Sequence, residues 1–393
     1  MSNIPFNKAY ITDDDVDQAK NALTNASLAG NGKLTKQCQH WLENHINAQK
    51  ALLTHSCTAA LELAALLIDT QPNDEIIMPS FTFVSTANAF VLRGGTPVFV
   101  DIREDTLNID ETKIEAAITP KTTAIVPMHY AGVGCEMDKI LQVAHKHNLY
   151  VIEDNAQGIM ASYKNKPLGS FGDFSTLSFH ETKNIICGEG GALLINNPEF
   201  IERAEILLEK GTNRKKFFKG EIDKYTWVDI GSSFLPSEIT AALLSTQLNK
   251  AADITQRRLS IWNKYHGAFA ELENKGVLRR PIIPNDCKHN AHIYYLLLSN
   301  LEQRDNFIAY LKKCEINTVF HYTALHQSHA GKKYAKISGS MTHTEKASDC
   351  LVRLPLWVGL EKHQNIVIKA IYDFFSQQST FPTSLETSSA TIC

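Results

Sequence analysis

Four short segments carry polar side chains at points where a buried strand is expected to give way to a loop or helix. In Thr54-His55-Ser56-Cys57-Thr58-Ala59, Ser56 suits an N-cap, leaving the N–H groups of Cys57, Thr58 and Ala59 to face a docked anion. The helix dipole would favour a phosphate there, although plain capping uses the same residues. Val151-Ile152-Glu153-Asp154-Asn155-Ala156-Gln157 ends a strand on two acids, which need a cation or hydrogen-bond donors once buried. A salt bridge or a metal would satisfy them too. Leu177-Ser178-Phe179-His180-Glu181-Thr182-Lys183-Asn184 carries a loop lysine and is followed by the turn Gly188-Glu189-Gly190-Gly191. An ion pair is the ordinary use of such a lysine. Pro79-Ser80-Phe81-Thr82-Phe83 is an aromatic stretch that a core would absorb by default.

Together the four segments say more than each alone. A phosphate cradle, an aromatic face, an acid ending a strand and a lysine 29 residues after Asp154 are the parts of a pyridoxal phosphate site. The lysine amine would form a Schiff base with the cofactor aldehyde, and the carboxylate would keep the pyridine nitrogen protonated, making the ring an electron sink. The aromatic would cover one ring face. No metal is called for.

The elements that would position these groups alternate along the first two-thirds of the chain. Lys50–Thr54, Glu75–Met78, Pro97–Ile102, Thr123–Met128 and Leu149–Asp154 read as buried strands, with further strands at Phe174–Phe179 and Gly191–Asn196. Helical patterns fall at Thr58–Ile68, Ile109–Ile118, Glu136–His147 and 198–210. Strands without polar alternation, separated by helices, predict an α/β fold with a mostly parallel sheet covered on both faces. Ligands of such sheets gather at the carboxyl ends of the strands. A long helical stretch, Ser237–Leu272, leads into a smaller α+β part with strands at His292–Leu298 and Asn317–Phe320 and helices at Gln303–Lys313 and Gln364–Phe375. The expected organisation is a large domain over 1–245, a small C-terminal domain over 246–375, and a disordered Ser- and Thr-rich tail over 376–393.

Composition removes other classes. With 39 Lys plus Arg against 42 Asp plus Glu, the formal charge of −3 offers no basic excess for a nucleic-acid backbone. No apolar run approaches the ~20 residues that cross a bilayer, and the N-terminus reads as no signal peptide. The eight cysteines form no C-x-x-C pair, so reduced thiols in a cytoplasmic protein are expected.

The segments PSFTFVSTANAF (79–90), VPMHYAG (126–132), EDNAQG (153–158), SFHETKN (178–184) and GEGG (188–191) resemble the DegT/StrS family of pyridoxal-phosphate sugar-nucleotide aminotransferases. The resemblance runs from Ile4 to Phe375 and implies the aspartate-aminotransferase-like (type I) fold. Carried over by position, Lys183 would be the Schiff-base lysine, Asp154 the partner of the pyridine nitrogen, and Gln157 a donor to the cofactor's phenolic oxygen. Phe83 would stack on the ring, while Ser178, Cys57 and Thr58 would hold the phosphate. The family implies a homodimer with active sites at the interface, the stretch after Gly211 reaching into the partner's site. Two departures stand out. Cys57 occupies a position where many relatives have Gly, and Ser233 replaces an Asn that contacts the phosphate across the interface. LLTHSCTAALELAALL (52–67), EKGTNR (209–214), DKYTWVDIGSS (223–233) and VRLPLW (352–357) are similar to the dTDP-4-amino-4,6-dideoxygalactose transaminase subgroup. That similarity implies dTDP-4-keto-6-deoxy-D-glucose as acceptor, L-glutamate as donor and pyridoxamine phosphate as the intermediate form of the cofactor.

His129, Tyr130, His180, His321 and Tyr322 are candidates for contact with the hexose or pyrophosphate, each equally placed for packing instead. Three other readings compete. His321, His326, His329 and His343 could cluster in a metal-dependent hydrolase. A non-catalytic cofactor-binding sensor could share the fold, against which stands the joint presence of Lys183, Asp154 and Gln157. Within the enzyme reading, a 3-keto-sugar transaminase or one giving the gluco epimer is the competitor.

Overall fold

The computed structural model describes residues 3–25, 28–218 and 220–378. The tail expected from 376 lies outside these residues from 379 onward, and 376–378 close the helix Gln364–Gln378. The strands are β1 (Lys50–Thr54), β2 (Glu75–Pro79), β3 (Thr96–Val100), β4 (Thr122–Ile125), β5 (Tyr150–Asp154), β6 (Ser162–Tyr163), β7 (Lys166–Pro167), β8 (Phe174–Ser178), β9 (Gly191–Ile195), β10 (Cys287–Lys288), β11 (Tyr294–Leu297), β12 (Lys336–Ile337) and β13 (Leu351–Leu354). Eight of them form one sheet in the order β1-β9-β8-β5-β4-β2-β3-β12. The pairings from β8 through β12 are parallel, and β9 runs against both β8 and β1. The carboxyl ends of β1, β8, β5, β4 and β2 therefore share one edge.

Strands β2, β8 and β9 are buried throughout, which is why they read as unbroken apolar runs. Alternate residues still separate to opposite faces. Leu52, Ile76, Met78 and Ile152 pack beneath the helices Cys57–Leu67, Val84–Val91 and Ile201–Leu208. Ile77, Val98, Ile125 and Val151 face the helix Met137–His147, and Ala51, Leu53 and Leu177 face the helices Lys33–Ile46 and Glu238–Asn249. Each of the Leu, Ile, Val and Met side chains contributes roughly 1.5–3 kcal/mol on burial. A one-residue slip of any strand would exchange its two apolar sets, which fixes the register.

The expected helix Ile109–Ile118 is instead two 3₁₀ turns, Glu111–Lys113 and Glu115–Ala117. Asp110 caps the first, and the buried Ile114 and Ala117 stand three residues apart, the repeat of a 3₁₀ turn. The stretch Ser237–Leu272 is broken into Glu238–Asn249, Ala251–Ala268 and Ala270–Asn274. At the first break Lys250 reaches back to Asp14 of the N-terminal helix (2.9 Å), a distant partner that no local Gly or Pro announces. The helix Ala251–Ala268 belongs to two cores. Ala251 and Ile254 join Leu42 and Leu248, while Ile261, Trp262 and Tyr265 join Phe307, Leu311 and Ile371. Asn317–Phe320 forms no strand but a single bridge, Val319 to Arg353, beside the pair β11–β13. No helix among the described residues is long and apolar enough to cross a membrane.

Candidate active site

Four strand ends converge on a cleft of about 580 Å³ at the shared edge. After β1, Ser56 adopts an extended backbone and accepts a hydrogen bond from Ala59 N (3.1 Å), starting the helix Cys57–Leu67. The N–H groups of Cys57 and Thr58, at the first two helical positions, have no intrahelical acceptor, and both residues line the cleft. Gly191 lets β9 pass close by, because a Cβ there would lie 2.4 Å from Cys57 N. Burial pushes the Cys57 thiol up to about 12, so it stays neutral against the cradle. Ser178, at the end of β8, also lines the cleft, with no hydrogen bond to its hydroxyl from the described residues.

Asp154 ends β5, almost wholly buried. Its Oδ2 accepts from Thr86 Oγ1 (2.6 Å) and its Oδ1 from Ala156 N (3.2 Å). A carboxylate has about four acceptor positions, so Asp154 keeps capacity for a cationic donor in the cleft. Phe83, at the N-cap of the helix Val84–Val91, is 57% exposed and lines the same space, which leaves its ring available to a flat ligand. Lys183, on the loop after β8, lines the same cleft, where burial holds its amine below the ordinary 10.5, while Cys57 and Asp154 act the other way. A cradle of free donors, an acid with spare acceptor sites, an uncovered ring and a lysine of lowered basicity suit pyridoxal phosphate.

Gln157 is positioned with less freedom than the sequence suggested. Its Oε1 accepts from Ala131 N (2.7 Å) and its Nε2 donates to Tyr322 Oη (2.8 Å), so a cofactor oxygen would have to use the second amide hydrogen. His180, His321 and Tyr322 line the cleft as well. His129 does not. It is completely buried, its Nδ1 accepts from Cys135 N (3.2 Å), and its protonated Nε2 therefore donates to Glu153 (2.8 Å). Both ring nitrogens are used inside the protein, which corrects the expectation of substrate contact. Tyr130 is likewise buried, its hydroxyl bonded to His321 Nδ1 (2.7 Å), so it supports a cleft residue rather than lining the cleft. Ser233 lies exposed, outside the cleft of its own chain, in a bridge with Glu209. The four histidines of the hydrolase reading do not converge. His326 is bonded to Ser80 and Glu345, and no three His, Cys, Asp or Glu side chains among the described residues could hold an ion.

With that geometry in hand, the family model for DegT/DnrJ/EryC1/StrS aminotransferases matches residues 9–372. The chain belongs to this aminotransferase family. It is 32% identical to the spore coat polysaccharide biosynthesis protein SpsC of Bacillus subtilis over 383 residues, 94% of this chain and 96% of SpsC. Among solved structures, the PMP form of Spr1654 from Streptococcus pneumoniae superposes with a TM-score of 0.89 at 27% identity, covering 95% of this chain and all of that one. PseC of Helicobacter pylori, an aminotransferase involved in the biosynthesis of pseudoaminic acid, gives a TM-score of 0.85 at 26% identity over 96% of this chain and all of PseC. The aminotransferase fold thus places in one cleft three further residues that the sequence reading did not single out. Thr86 holds Asp154, His292 directs Nδ1 at Asn184 (3.1 Å), and Arg353 stands at the end of β13. Thr86 and Arg353 sit inside segments whose similarity was visible, PSFTFVSTANAF and VRLPLW, but no local pattern marks either as facing a ligand.

Proposed function

We propose that this aminotransferase converts a nucleotide-linked keto sugar to an amino sugar, dTDP-4-keto-6-deoxy-D-glucose to dTDP-4-amino-4,6-dideoxy-D-galactose, with L-glutamate as donor. The observation that carries the reading is the meeting of Lys183, Asp154 and the open helix start at Cys57 and Thr58 in one cleft. SpsC, named for spore coat polysaccharide biosynthesis, and the sugar aminotransferase Spr1654 support a sugar as acceptor, and the subgroup motifs support its C4 ketone. Pyridoxal phosphate, when bound, supplies an aldehyde and an electron sink. The residues do the rest. Cys57 N, Thr58 N and Ser178 would hold its phosphate, Asp154 would keep its ring nitrogen protonated, and Phe83 would cover the ring. Lys183 Nζ, kept less basic by burial, takes and returns the proton at the carbon being aminated.

The same reading assigns His180, His321 and Tyr322 to substrate contact and gives Ser233 a role at a partner's cleft in a cytoplasmic homodimer. It divides the chain into a cofactor-binding part over 1–245 and a smaller part over 246–375, with the change of core along the helix Ala251–Ala268 as support. Incubating purified protein with L-glutamate and the dTDP-linked 4-keto sugar, then determining the product by NMR, tests the proposal. An axial amine at C4 is expected. An amine at C3, the gluco epimer or no amino sugar would overturn the assignment.

A further inference from the structure

A second cavity, of about 310 Å³, lies apart from the catalytic cleft and shares none of its lining residues. It sits at a seam. The loop after β3 supplies Glu104 and Leu107, and the smaller part of the chain supplies the segment 276–279, the end of β11 and the helix Thr342–Cys350. Leu107, Val277, Leu278, Leu297 and Leu298 make an aliphatic wall. Arg279 is held by its backbone, whose N–H and C=O both pair with Leu297 (2.9 Å each). Its Nη1 donates to Glu104 O across the seam. Its Nε and Nη2 are buried and have no hydrogen-bond partner among the described residues. Those two nitrogens form the side of a guanidinium that grips a carboxylate with two parallel bonds.

The two nearby acids are already taken. Glu104 Oε1 accepts from Lys346 Nζ (3.0 Å), and Asp105 Oδ1 and Oδ2 accept from Arg103 (2.9 and 2.8 Å). Leaving buried donors unpaired is costly, so the free side of Arg279 calls for an acceptor that the chain does not supply. We propose that this seam cavity is a second binding site, for a monocarboxylate carried on an aliphatic body. The fork of Arg279 takes the carboxylate, and the leucines take the chain. Arg279 and Lys346 against Glu104 leave one positive charge, which matches a monoanion, whereas a phosphate monoester brings about −1.5 to −2. The aliphatic wall gives sugar hydroxyls no partner, which separates this ligand from the substrates of the cleft. One strand joins the two places: Leu297 of β11 lines the seam, and Ile293, just before β11, lines the cleft.

The test is calorimetric titration of the holoenzyme with hexanoate. One site per chain is expected, with affinity falling about fourfold for each methylene removed toward butanoate. Hexanamide, alike in shape but neutral, should bind at least about tenfold more weakly, and Arg279→Gln should weaken hexanoate by a similar factor. Arg279→Lys, which keeps the charge and loses the fork, should fall between. Turnover retained by Arg279→Gln shows that the variant is folded. If it does not fold, the hexanamide comparison in the wild-type protein decides the matter alone. Hexanoate bound equally by wild type and a still-active Arg279→Gln would overturn the proposal, as would no hexanoate binding at all. Hexanamide or acetate binding as tightly as hexanoate would overturn it too, and hexyl phosphate binding more tightly would reject a carboxylate as the ligand.

Discussion

On the side of the sheet covered by the helix Met137–His147, Glu153 accepts hydrogen bonds from His129 Nε2, Gly169 N, Phe171 N and Gly172 N, all between 2.8 and 2.9 Å. One residue further along β5, on the opposite face, Asp154 has two donors and a cleft in front of it. The two acids are adjacent in sequence and both are buried. Strand alternation sends them to environments of opposite design. Glu153 is saturated and ties the 169–172 turn to the sheet, whereas Asp154 is left short of partners where a ligand can complete it. A saturated buried acid belongs to stability and an unsaturated one to function.

The comparison can be broken by substitution. Asp154→Asn should keep the Thr86 contact and the melting temperature but lower transamination about 10²-fold or more, because a neutral amide cannot hold a ring nitrogen protonated. Glu153→Gln should do the reverse. It turns donors toward the N–H groups of Gly169 to Gly172 and should cost about 2–4 kcal/mol in denaturant unfolding, with activity per folded molecule retained. If Glu153→Gln lost activity without losing stability, the division would fail. Glu238, which caps the helix Lys33–Ile46 through Gly32 N, Leu34 N and Thr35 N, is a second saturated acid. Glu238→Ala should destabilise by about 2 kcal/mol and leave the cofactor absorption unaltered.

Acid titration gives the smallest effect. Burial holds His292 and His321 well below the ordinary 6.5, with Lys183 and Arg353 adding to it. Between the folded values and 6.5 the unfolded chain binds protons that the folded chain does not. Stability therefore falls as pH drops below 6.5, by up to about 1.4 kcal/mol per pH unit for each histidine. His292→Gln should flatten the unfolding free energy against pH in that window, and an unchanged slope would place the acid sensitivity elsewhere.

Much of this was legible in the sequence. The runs KALLT, EIIM and LYVIED and the stretch Phe174–Phe179 read as buried strands, and Cys57, Thr58, Phe83, Asp154, Ser178 and Lys183 fall at or just after the ends of β1, β2, β5 and β8. What was not legible depends on distant partners. His129 lies beside a cleft residue in sequence, but Glu153, 24 residues away, turns its ring inward. The break at Lys250 coincides with an ion pair to a carboxylate in the first helix, and Arg353 meets the cleft because β13 pairs with β11. Periodicity reports which face of an element is apolar; it does not report which polar group across the fold will claim a given side chain.

The most direct test of the central claim is borohydride reduction of the purified protein loaded with pyridoxal phosphate, followed by peptide mass spectrometry. The account predicts a stable pyridoxyl group on Lys183, absent when L-glutamate is added before reduction. A label on another lysine, or none on a folded protein, would contradict it.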